Sequence, residues 1–177
     1  MIFRKLHIWS SFALAALWVV SCNQQGNLLV LDENAPAQTM RNATIQHTDS
    51  GRLQMIIWGE EVWNFDDEDQ TQEFPSSIKA TFYDADGNIS SVVTADEATN
   101  WQKKKLMHLR GNVIIVNDRD GTRTYTDNFF WDQDKEEIYT DAPFLRVFSD
   151  GRRQRGVGFR ADERMNNFEA FNFHFEF

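Results

Sequence analysis

The chain has 177 residues, 41% of them hydrophobic, with 27 Asp and Glu against 18 Lys and Arg. That length and hydrophobic content suit one globular domain with its own core and exclude a disordered chain. A net charge of −9 excludes the basic stripe that tracks nucleic-acid phosphates, and a single cysteine excludes an intrachain disulfide.

The N-terminus reads as a targeting segment. Arg4 and Lys5 precede a short apolar run from Ile8 to Val20, which closes on Val19-Val20-Ser21-Cys22. A basic start, a short apolar run and a small residue before the cut make a secretory signal. The run is shorter than the ~20 apolar residues of a membrane-spanning helix. Cys22 behind its small residue resembles the lipobox of bacterial lipoproteins, whose thiol is acylated and becomes the new N-terminus. Residues 1–21 are therefore expected to be a lipoprotein signal peptide and Cys22 the lipid anchor. Residues 22–42 are polar, contain Pro36 and hold no sustained period, so a flexible tether is expected there.

Residues 43–177 read as one all-β domain. RLQMIIWGEEVWNF, SIKATFYD, ISSVVTAD, KLMHLRGNVIIVN, TRTYTDNFFWD, EEIYTDAPFLRVFSD and VGFRAD are rich in β-branched and aromatic residues, and many alternate. ADEATNWQKKKLM comes closest to a helix but lacks a stop signal and runs into a strand-like segment. DSG, DADG, DRDG and SDG put Gly51, Gly87, Gly121 and Gly151 at intervals of 36, 34 and 30 residues. Asp-Gly between alternating segments marks hairpins, because glycine takes the positive φ such turns require. An Ala-Asp or Thr-Asp pair also recurs, at Asp96, Asp127 and Asp162. These features predict a degenerate repeat of strand pairs that bury their faces by stacking. The expected fold is an open, twisted, elongated β-structure of antiparallel strand pairs with an interior groove, with a closed sandwich as the alternative.

The last strand, FEAFNFHFEF, puts Phe171, Phe173, Phe175 and Phe177 on one face and Asn172, His174 and Glu176 on the other. A terminal strand is a natural sheet edge, so its polar residues mark an expected partner-docking edge. Aromatics reach 14%, with 15 Phe and 6 Trp, which calls for a large core or an apolar ligand.

Catalytic chemistry is thin. His47, His108 and His174 lie in no Gly-x-Ser-x-Gly or HExxH pattern, and no paired carboxylates are indicated, so no enzyme is expected. The DADG and DRDG turns place glycine fourth, not sixth as a calcium loop needs, so no metal or other cofactor is expected.

TADEATNW, LRGNVIIVN, DGTRTYTDNFFWDQDKEEIYTDAP and RGVGFRAD resemble, in order, the motifs of the LptC family, the membrane-tethered periplasmic component of lipopolysaccharide export. The resemblance covers most of residues 43–177. It departs from the better-known members in its anchor, since they carry a transmembrane helix where this chain has a lipobox. The resemblance implies a twisted β-jellyroll, open as a V, whose interior takes lipid A acyl chains. It implies an inner-membrane ABC transporter's permeases as partner at the N-terminal edge, near Leu53 to Trp63. An LptA-like bridge protein would join at the C-terminal edge by strand addition. Alternation selects Leu53, Met55, Ile57, Ile78, Ala80 and Phe82 as candidates for the groove. Val113, Ile115 and Val147 join them, with Phe171, Phe173 and Phe175 continuing the groove across the junction. Gly51, Gly156 and Gly158 are expected to set backbone turns. The alternatives are a surface or periplasmic β-rich lipoprotein that binds protein or glycan without moving lipid, an outer-membrane barrel, and a jellyroll hydrolase.

Overall fold

The computed structural model describes residues 35–176, so Cys22 and the signal segment lie outside the described residues. The chain is written in β-structure from Gln38 onward. Twelve strands follow: β1 (Gln38–Asp49), β2 (Arg52–Asn64), β3 (Thr71–Phe74), β4 (Ile78–Tyr83), β5 (Ile89–Ala95) and β6 (Glu97–Trp101), then β7 (Leu106–Asn117), β8 (Arg123–Asp132), β9 (Glu137–Val147), β10 (Arg153–Asp162), β11 (Glu169–Ala170) and β12 (His174–Glu176). A 3-10 turn, Gln102–Lys104, joins β6 to β7. Strand β1 starts inside the stretch expected to be a tether, so residues 38–42 belong to the sheet.

All twelve strands form one antiparallel sheet. Strand β1 pairs with β2, and β2 is followed by β4, β5, β7, β8, β9 and β10. Strands β3 and β6 form a second path between β2 and β7, and β11 and β12 both line the outer edge of β10. The sheet is a folded ribbon and not the two separate sheets of a sandwich. Nor does it close into a barrel, since among the described residues β1 pairs only with β2 and the C-terminal strands only with β10.

A crease folds the ribbon into two facing halves. It runs through Ser77, Asp96, Gly111 and Asn112, the irregular pairing between Thr126 and Phe130, and the one between Val157 and Phe159. Backbone bonds cross it at Glu60 N–Ser77 O, Ser77 N–Asp96 O and Asp96 N–Gly111 O, at 3.2, 2.7 and 3.0 Å. Gly111 takes φ +73°, and the adjoining Asn112 amide donates to the Asp96 carboxylate at 2.7 Å. The extra residue at such a bulge shifts the alternation. Strand β8 buries Thr124 and Thr126 before the crease and Phe129 and Trp131 after it, so both halves turn an inner face to the same core.

The Asp-Ser-Gly turn at Gly51 and the three Asp-Gly turns at Gly87, Gly121 and Gly151 all close hairpins on one outer rim, with glycine φ between +71° and +90°. Their acids serve the turns: the Asp84 carboxylate accepts from the Asp86 and Asn88 amides, and Asp120 from Thr122. Phe74, Phe129 and Phe159 are fully buried between the halves. Phe82 and Trp131 meet across the fold edge to face, with ring centroids 5.4 Å apart. Removing such a core aromatic costs about 3–5 kcal/mol, so these contacts hold the two halves together.

Candidate functional site

The inner face opens at the β1–β2 end. There a cleft of about 400 Å³ lies between the two halves. Ile45, Met55 and Ile57 line one wall, and Trp131 stands opposite. Gln72, Asn100, Gln102 and Gln133 supply four side-chain amides, and His47 and Lys105 stand with them. The pattern has a physical cause: strands β1 and β2 alternate apolar residues inward, whereas β3, β6 and the 3-10 turn end in polar residues where the halves diverge. Gln72 Nε2 donates to Asn64 at 2.8 Å and Gln133 Nε2 to Asn100 at 3.2 Å, so part of the amide set is held in place. An apolar wall facing an amide wall suits a molecule with acyl chains and sugars. It offers no nucleophile–base pair.

Away from the cleft the inner face is filled. Pairing sets Ile45, Ile57, Ala80, Val93, Ile115, Thr124, Arg146, Gln154 and Phe175 in one row across successive strands. Met55 and Ile57 line the cleft, but Ile78, Ala80, Phe82, Val113 and Ile115 are packed in the closed core. Leu53 and Val147 are half-buried. Residues Glu163–Phe168, between β10 and β11, strap the halves together near the C-terminal end. Ser91 Oγ donates to Glu163 O at 3.0 Å, and Arg119 Nη1 donates to Asn166 Oδ1 at 2.9 Å. Met165 is buried under this strap, and Trp131 Nε1 donates to the Glu163 carboxylate. Burial raises the Glu163 pKa above its ordinary value.

The family model for lipopolysaccharide assembly, LptC-related, matches residues 11–170. The chain belongs to the LptC-related family. No curated protein matches it significantly. Membership places this LptC-related chain among periplasmic, membrane-associated components of lipopolysaccharide transport, which are transport components and not enzymes. They bind lipopolysaccharide and work within a multiprotein export complex. Among the described residues no helix is long and apolar enough to cross a membrane.

The two edges of this LptC-related sheet differ from expectation. Both sides of β2 are occupied, by β1 on one and by β3 and β4 on the other, so among the described residues the N-terminal edge of the sheet is β1 and not Leu53–Trp63. The C-terminal segment is two short strands, broken where Asn172 takes φ +44°. Its Phe171, Phe173 and Phe175 are exposed by 43–49%, so they are not part of the closed core. Glu176 accepts from Arg155 Nε at 3.0 Å, and that contact holds its carboxyl below the ordinary value. His174 lies 3.5 Å from Glu176, and both point outward.

The glycines divide. Gly51 sits in a hairpin turn and Gly158 takes φ +82° at the β10 irregularity. Gly156 sets no turn; it leaves room for Phe144, whose ring would lie 2.6 Å from an added Cβ. The cleft amides and the strap were missed by alternation. Gln72 and Asn100 lie in strands of four and five residues, too short to establish a period, and Gln133 lies in the turn after β8.

Proposed function

We propose that the chain is the tethered periplasmic component that accepts lipopolysaccharide from an inner-membrane ABC transporter and hands it to an LptA-like bridge protein. In this reading acylated Cys22 holds the domain to the inner membrane on its periplasmic side, and no catalysis is performed. The transporter's permeases adjoin the β1 edge, and the bridge protein extends the sheet at β12, where His174 and Glu176 are exposed, with Asn172 at the break before it. The observation that carries the reading is the cleft, with Ile45, Met55, Ile57 and Trp131 facing amides. Acyl chains take the apolar wall at ~0.8 kcal/mol per buried methylene, and the amides take sugar hydroxyls.

The test is photo-crosslinking in cells with a photoreactive residue at Ile57, at Thr81 on the opposite face of the sheet, and at His174. Lipopolysaccharide adducts at Ile57 and not at Thr81, with a protein adduct at His174, are expected. A folded, exported protein without lipid adducts at Ile57 refutes the conduit. Protein or glycan adducts alone would then favour a β-rich lipoprotein that binds them without moving lipid.

A further inference from the structure

Arg146 lies on the inner face of β9, in a place where a cation is costly. Its cross-strand neighbours are Thr124 on β8 and Gln154 on β10. The guanidinium carbon sits 4.0 Å from the ring centre of Phe168 and 5.0 Å from that of Phe148. Stacking on rings offsets part of the cost of removing the cation from water. Yet among the described residues no carboxylate forms an ion pair with Arg146, whereas Arg41, Arg110, Arg152, Arg155 and Arg160 each have one.

Two neighbouring polar atoms are also buried without a partner among the described residues, Arg146 Nε and Thr124 Oγ1. Gln154, on β10 next to Arg146, is 5% exposed. Unsatisfied buried donors are uncommon because each costs about 1–3 kcal/mol, and more when charged. Two of them on adjacent strands, with the buried Gln154 in the same cross-strand row, face one way and lack an acceptor among the described residues. Burial depresses the guanidinium's proton affinity, and the nearby Asp120 charge opposes that; Asp120 Oδ1 is itself bound to the Thr122 amide. Phe148, Phe168 and Phe175 supply apolar surface around the set, with the Phe148 and Phe175 rings 6.4 Å apart.

We propose that Arg146, Thr124 and Gln154 form a binding site for a phosphate group carried by an amphiphile. The guanidinium and the two neutral donors take the phosphate oxygens, and the surrounding phenylalanines take the adjoining apolar part. This rests on the reading of the inner face as a lipid path, and adds a charged station at its C-terminal end.

The test titrates the full-length protein, in a nonionic detergent, with phosphorylated lipid A, with the same lipid stripped of phosphate, and with inorganic phosphate. Phosphorylated lipid A is expected to bind roughly ten- to a hundredfold more tightly than the stripped lipid, the range of a charge-assisted hydrogen bond. Arg146→Gln should abolish that difference and leave the stripped lipid's affinity unchanged, while Arg146→Lys should restore part of it. Thr124→Val should lower only the phosphate-dependent part and raise the thermal stability of the unliganded protein, so a folding defect cannot imitate the result. Equal affinities for the two lipids, or an Arg146→Gln variant that weakens both alike, overturn the site while leaving the lipid path standing. If neither lipid binds, the lipid path fails and the site with it. Inorganic phosphate binding as tightly as the phosphorylated lipid overturns the assignment to an amphiphile.

Discussion

Gly156→Ala tests how tightly the C-terminal end is packed. An added Cβ would lie 2.6 and 2.8 Å from two carbons of the Phe144 ring and 3.0 Å from the Phe171 carbonyl oxygen. Ordinary carbon–carbon contact is about 3.5–4.0 Å, so the ring must move by roughly 1 Å. It has little room, because Phe159 and Phe168 meet it edge to face at 5.5 and 5.8 Å. Overpacking of this kind costs about 1–3 kcal/mol. Replacing glycine at a permissive φ stabilises by only about 0.4–1 kcal/mol through the unfolded chain, so the clash wins. The net loss of about 0.5–2 kcal/mol should lower Tm by roughly 2–8 °C for a domain of this size. Thermal unfolding followed by circular dichroism reads this directly. Phe144→Leu in the same chain should recover part of the loss, giving a coupling energy in a double-mutant cycle. A Gly156→Ala protein as stable as the parent, or a loss that Phe144→Leu does not relieve, would refute the packing argument.

Glu163→Gln keeps the acceptor for Trp131 and removes a charge whose pKa burial raises. The native carboxyl binds more protons than the unfolded one between its ordinary and raised values, so its contribution is full at acid pH and lost as pH rises through the raised value. The variant should be more stable at neutral pH, with a flatter profile than the parent above the ordinary carboxylate value; parallel Tm profiles would count against it. His108 is shifted the other way, chiefly by burial, so its contribution is present above the ordinary histidine value of 6.5 and lost as pH falls below it. His108→Phe keeps the stack with Phe130, whose centroid is 4.1 Å away, and should reduce the acid loss; an unchanged profile in denaturant titrations sinks that assignment. Gly111→Ala forces a left-handed φ of +73° on alanine and sets Cβ 2.7 Å from Asp96 Oδ2. The backbone alone costs about 1–2 kcal/mol. Removing the carboxylate with Asp96→Ala should lessen the clash in the double variant, and a Gly111→Ala protein with unchanged urea midpoint would contradict the crease geometry.

The hairpins were legible because glycine at φ near +80° leaves a mark in sequence, at Gly51, Gly87, Gly121 and Gly151. The long strands were legible because β2, β7 and β8 bury alternate residues. Strand β1 was misjudged at its start, since an edge strand exposed along most of its length shows no alternation. The Ala-Asp and Thr-Asp recurrence joined unlike positions. Asp96 and Asp127 lie at the crease, but Asp162 caps the strap by accepting from the Arg164 and Asn166 amides at 3.0 and 2.9 Å. Alternation also reports which face a residue points to and not what fills the space opposite. It therefore put Ile57 and Ile115 in one class, although one lines the cleft and the other is packed. Arg146 carried a signal that went unread: in FLRVF it shares a face with Phe144 and Phe148.

The filled inner face constrains how the proposed conduit works. A lipid entering at Ile57 meets a packed interior and then the strap, so passage requires the halves to part. The strap is held by few polar links, among them Ser91 to Glu163, Asn117 to Arg164 and Arg119 to Asn166. At about 0.5–1.5 kcal/mol net for each such hydrogen bond, they amount to a few kcal/mol. Four or five acyl methylenes at ~0.8 kcal/mol each supply as much. An acyl chain is long enough to offset the strap's hydrogen bonds. Parting the halves also separates Phe74, Phe129, Phe159 and Met165, so the chain must replace those apolar contacts as well. In the proposed conduit, closure at rest would serve selectivity, since only the apolar part of the cargo could replace the contacts of the packed inner face.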